Sequence, residues 1–157
     1  MKKKFLALIA VSALLLTGCG DKKVSAAADN LPTVTTNQGE APTIGAPTGT
    51  APTTLVTKDI IVGTGAEALP TSTMTVHYTL MTWSNGKLIE SSWTSGSPAT
   101  FPLANVIIGW QQGIPGMKVG GRRLLVIPPD LGYGAQGGGP IGPNETLIFV
   151  VDSIGVA

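Results

Sequence analysis

The stretch "NVIIGWQQGIPGMKVGGRR", residues Asn105 to Arg123, sets the fold class. Val106 or Ile107, Trp110 and Ile114 recur at helical spacing. Gly113 and Pro115 close the pattern after about two turns, because a proline disfavours helical geometry in the residue before it. The runs around it read as strands. From Thr73 to Met81, the apolar Met74, Val76, Tyr78 and Leu80 alternate with Thr73, Thr75, His77 and Thr79, which predicts a half-buried strand with Tyr78 inward and His77 outward. Leu55 to Val62 predicts another, closed by Gly63-Thr64-Gly65. Ser84-Asn85-Gly86 carries an Asn-Gly turn signal and leads into Lys87 to Glu90 as a hairpin partner. Arg122 to Ile127, stopped by Pro128-Pro129, and Thr146 to Ile154 complete the set. Adjacent strand residues face opposite sides, so one of Arg122 and Arg123 is expected to be a plain surface charge. A short helix laid across an antiparallel sheet, with Trp110 pointing into the sheet, is an α+β arrangement.

The ends of the chain read differently. The 157 residues carry one cysteine, 12% charged residues and a formal net charge of +1. Without Lys2, Lys3 and Lys4, seven Lys/Arg stand against nine Asp/Glu, a net −2. Such a chain has no electrostatic footprint for nucleic acid. Those three lysines open MKKK-FLALIAVSALLL-TGC, a basic segment followed by an apolar run from Phe5 to Leu16. That run is shorter than the ~20 residues a membrane-spanning helix needs, and so predicts an export signal over residues 1–18. Leu16-Thr17-Gly18-Cys19 resembles the bacterial lipobox, which implies cleavage before Cys19, lipidation of its thiol and attachment to the cell membrane. With Cys19 the sole cysteine, no intrachain disulfide is available. Residues 19–53 are rich in Ala, Pro and Thr, with the loose repeat APTIG-APTGT-APTT from Ala41 to Thr54. This composition predicts a disordered linker, which leaves residues 54–157 as one folded domain.

Familiar chemistry is hard to find. Gly132-Tyr133-Gly134-Ala135-Gln136-Gly137 fits G-x-G-x-x-G, but prolines precede it and Gly138-Gly139-Pro140 follow, where a dinucleotide site needs a strand before and a helix after. His77 is the sole histidine, which leaves little basis for a zinc cluster or a Ser-His-Asp triad, and neither metal nor cofactor is expected. What stands out is the density of Tyr78, Phe101, Val106, Ile107, Trp110, Tyr133 and Phe149. Tyr133, inside a glycine-rich loop, is poorly placed for a core and well placed to overhang a pocket.

Six blocks, in order and spacing, resemble the FKBP-type peptidyl-prolyl cis-trans isomerases. They are Val76-His77-Tyr78-Thr79, Gly86 to Ser92, Val106 to Trp110, Gly116 to Arg122, Ile127 to Gly134 and Asn144 to Phe149. The resemblance implies a five- to six-stranded antiparallel half-barrel wrapped around one short helix. It also implies a pocket floored by Trp110 and walled by Tyr78, Phe101 and Phe149, with Val106 and the Ile107 amide beside it. Tyr133 would donate from the loop, Ile141 would line the opposite wall, and Ile89 and Glu90 would sit where the family has Phe-Asp. Ala99, in place of an aromatic, and Gly138, where a histidine is common, are further departures. The implied activity is proline isomerisation of unfolded exported proteins and other proline-containing peptides, with macrolides such as rapamycin as ligands. The alternative is a non-catalytic chaperone or peptide-binding module of the same fold. A monomer is expected.

Overall fold

A computed structural model describes residues 30–157, so the signal segment, Cys19 and residues 20–29 lie outside the described residues. Six strands form one antiparallel sheet: β1 (Val56–Ile61), β2 (Thr73–Thr82), β3 (Leu88–Ser91), β4 (Ala99–Pro102), β5 (Arg122–Ile127) and β6 (Leu147–Val156). Their order is β1-β5-β6-β2-β3, with β4 also paired to β2. Along one edge of β2, β4 covers Thr73 to Val76 and β3 covers Thr79 to Met81. The break falls at Tyr78. A one-turn helix, α1 (Ser92–Ser95), joins the two half-length strands. Its Ser92 hydroxyl accepts the Tyr78 backbone N–H at 2.9 Å, replacing the strand partner that the break removes.

The sheet buries both faces. Inward residues of β2, β5 and β6 (Met74, Val76, Leu80, Leu125, Ile127, Leu147, Phe149 and Val151) form the main core with Trp110, Ile114 and Met117. The second helix, α2 (Ile108–Gly113), lies over this face as the helical spacing predicts. It lies close because Gly109 and Gly113 face the sheet: a Cβ on either would run into Ile127 or Leu125. Arg123 pins the helix end. Its guanidinium pairs with both Asp59 oxygens, at 2.6 and 3.1 Å, and donates to the carbonyls of Gly113 and Pro115 at 2.9 and 3.2 Å. Carbonyls at a helix end lack intrahelical donors, so a cation there is well used.

The outer face departs from the sequence reading. Residues 30–53 are not a disordered linker: they run as a strap across Leu124, Val126, Ile148, Val150 and Trp83, contributing Leu31, Val34, Ile44 and Ala51. An isolated antiparallel bridge, Val34 to Ile44, folds the strap into a hairpin. Trp83 Nε1 donates to Gly49 O at 3.3 Å. Arg122, fully buried, pairs with Asp152 at 2.7 Å and donates its two terminal nitrogens to Thr35 O and Glu40 O, at 2.9 and 2.6 Å. Composition hid this, because four scattered apolar side chains suffice when a sheet face and a buried cation supply the rest. The expectation that one of the arginines is a surface charge also fails. They do face opposite sides, but each is buried in an ion pair, one under the helix and one under the strap.

Candidate active site

Inward alternation on β2 and β6 brings Tyr78 and Phe149 together, and Phe101 arrives from β4. All three rings surround Trp110. Its indole lies edge-on to each, with centroid distances of 5.9 Å to Tyr78, 6.0 Å to Phe101 and 5.3 Å to Phe149, and interplanar angles of 84–88°. Edge-to-face packing of this kind holds aromatic rings in a fixed relation. Above them is a cavity of about 280 Å³, lined by Tyr78, Leu80, Glu90, Phe101, Asn105, Val106, Ile107, Trp110, Tyr133 and Phe149.

Glu90, Asn105 and Tyr133 are exposed, whereas Trp110 Nε1 is buried without a hydrogen-bond partner. Ile107 caps α2 in an extended conformation, and the first helical bonds run from Trp110 and Gln111 back to its carbonyl. The N–H groups of Ile107, Ile108 and Gly109 therefore have no partner within the helix. Tyr133 is 42% exposed and reaches the cavity from its loop, where a Cβ on Gly138 would stand 3.0 Å from its ring. A side chain at 138 would require the Tyr133 ring to shift slightly. Tyr78 donates its hydroxyl to Glu90 Oε1 at 2.6 Å. Burial first, then the hydrogen bond and charge of Glu90 and the proximity of Tyr133, raise the Tyr78 pKa above its ordinary 10.0. The phenol stays protonated at neutral pH.

Eight of the sequence-predicted residues thus meet in one cavity: Tyr78, Glu90, Phe101, Val106, Ile107, Trp110, Tyr133 and Phe149. Ile89 and Ile141 do not line it. Ile141 is buried in the main core and Ile89 packs against that core, which also contains Trp110 and Phe149. Sequence reasoning missed Leu80 and Asn105. Leu80 carried a usable signal, being the next inward position after Tyr78. Asn105 ends a 3-10 turn, Leu103–Asn105, just before α2, a placement that polarity alone does not mark. His77 faces the other way, stacks on Trp93 with centroids 4.0 Å apart and bonds to the Ser92 hydroxyl at 2.9 Å. No group of three or more His, Cys, Asp or Glu that could hold a metal ion occurs among the described residues.

The family model described as FKBP-type peptidyl-prolyl cis-trans isomerase matches residues 65–153. The chain belongs to this family. Among FKBP relatives, a "Probable FK506-binding protein" of Corynebacterium glutamicum is 50% identical over 115 residues, 73% of this chain and 98% of that one. The "Outer membrane protein MIP" of Legionella longbeachae is 43% identical over 106 residues, covering 67% of this chain and 45% of that protein. Among solved structures, AtFKBP13 superposes with a TM-score of 0.61 at 39% identity, over 68% of this chain and 96% of that one. The FKBP match covers the cavity walls from β2 to β6, and the strap lies outside it.

Proposed function

We propose that this FKBP domain catalyses proline isomerisation of unfolded exported proteins at the cell envelope, held to the membrane by a lipid on Cys19. The observation that carries the catalytic part is the Trp110 floor, fixed by three edge-on aromatic rings under a cavity lined mostly by apolar and aromatic side chains. Rotation about an X-Pro bond breaks no covalent bond, but it must overcome ~18–20 kcal/mol of amide resonance. The planar amide is polar and well solvated by water, whereas the twisted transition state has lost much of its charge separation. An apolar cavity favours the twisted state, and a floor shaped to it binds that state more tightly. The Ile107 N–H and the Tyr133 hydroxyl hold peptide carbonyls. Tyr78, Phe101, Val106 and Phe149 confine the ring, and Glu90 orients Tyr78.

The lipobox at Leu16 to Cys19 supports the anchor, and the name of the Legionella relative supports an envelope setting. Residues 20–29 separate Cys19 from the strap, a span of at most about 36 Å. The anchored domain therefore works close to the membrane. Rapamycin and related macrolides fill the same cavity. Adding rapamycin in excess tests the site: acceleration of Leu-Pro isomerisation disappears if the cavity is the active site, and unchanged turnover counts against it. Incorporation of labelled fatty acid tests the anchor: the unaltered protein takes up label, Cys19→Ser does not, and an unlabelled unaltered protein would refute it.

A further inference from the structure

Nine of the ten residues lining the cavity are uncharged, and Glu90 is the sole formal charge. Its Oε1 is occupied by the Tyr78 hydroxyl. Glu90 forms neither of the two ion pairs found among the described residues, and its side chain is exposed at the rim. Tyr78 and Tyr133 line the same cavity, and no Lys or Arg lines it to offset the charge. A peptide lying with its proline on Trp110 must therefore place its neighbouring residues beside an unneutralised carboxylate.

The geometry points to a charge preference in the substrate: Glu90 selects X-Pro segments that carry Lys or Arg next to the proline and disfavours those that carry Asp or Glu. This inference rests on the isomerase reading and adds the substrate class. The interaction is solvent-exposed and the effect correspondingly modest. Attraction of one peptide and repulsion of the other together give about a fivefold preference at low salt. At ~1 M salt the screening length falls to ~3 Å, and most of the preference is lost.

The experiment compares peptides Ala-Leu-Pro-Phe, Ala-Lys-Pro-Phe, Ala-Glu-Pro-Phe, Ala-Leu-Pro-Lys and Ala-Leu-Pro-Glu, with residues 30–157 as enzyme and exchange spectroscopy as readout. Affinities of the same peptides are measured by calorimetry. The lysine peptides should exceed the glutamate peptides in kcat/KM at low salt, and Glu90→Gln should remove the difference. Glutamine keeps a carbonyl acceptor for the Tyr78 hydroxyl, and the readout is the ratio of lysine to glutamate peptide kcat/KM within each protein, so a lower overall rate in Glu90→Gln does not enter the comparison. Equal turnover of lysine and glutamate peptides at low salt, or a preference that survives Glu90→Gln, overturns the inference while leaving the isomerase reading intact. No acceleration even of Ala-Leu-Pro-Phe defeats the isomerase reading instead, and the affinities then decide the charge preference. If Glu90→Gln fails to fold, the salt series on the unaltered protein decides it.

Discussion

At the scale of single residues, this site works through apolar surface and a few oriented donors. Tyr133→Phe removes one neutral hydrogen bond to substrate, worth about 1 kcal/mol, and should lower kcat/KM by about fivefold with no change in unfolding midpoint. Tyr78 links the site to alkaline stability. Its pKa is raised in the folded protein, so the fold binds the phenolic proton more tightly than the unfolded chain does. That contribution is complete below about pH 10, the ordinary tyrosine value, and is lost as pH rises beyond it. Stability should therefore fall above about pH 10, and part of that slope should vanish in Tyr78→Phe when urea unfolding is followed across the range. Isomerisation itself needs no general acid or base, so kcat/KM should be level from about pH 6 to 9.

At the scale of elements, the helix matters for its distance from the sheet. Gly→Ala within a helix ordinarily stabilises by about 1 kcal/mol. Gly113→Ala should do the reverse, costing about 1–3 kcal/mol by urea unfolding, because its Cβ would meet Leu125. Trp110 rides on the same helix, so kcat/KM should fall with stability; a stabilised, fully active Gly113→Ala would refute the close-packing argument. Much of this was legible in the sequence. Alternation on β2 placed Tyr78 inward and His77 outward, and the spacing of Ile107, Trp110 and Ile114 marked the helix. β4 was not read as a strand, since Ala99 to Pro102 is too short and too mixed for a period to show, and α1 is a single turn shaped by the break at Tyr78. The family resemblance puts Ile89 and Ile141 beside the cavity, and both pack in or against the core that carries Trp110 and Phe149.

At the scale of the whole molecule, the folded unit begins by residue 30. Ala, Pro and Thr mark the strap as a linker by composition, and nothing local to it reveals the apolar outer face or the buried Arg122 that it covers. Residues 54–157 alone should be less stable than residues 30–157 by about 2–4 kcal/mol, as the outer face returns to water and Arg122 loses two carbonyls. Their kcat/KM on Leu-Pro peptides should match, because the strap lies on the face opposite the cavity. Equal stability would show that the strap is a spectator. The most direct test of the central claim is the cis-to-trans relaxation of a short Leu-Pro peptide in the presence of residues 30–157, compared with a Trp110→Ala variant shown to be folded. Acceleration by the unaltered protein that drops by about tenfold or more in the variant is the predicted result. A folded protein that binds the peptide yet leaves its relaxation unchanged would contradict catalysis by the Trp110 cavity and make the domain a peptide-binding module.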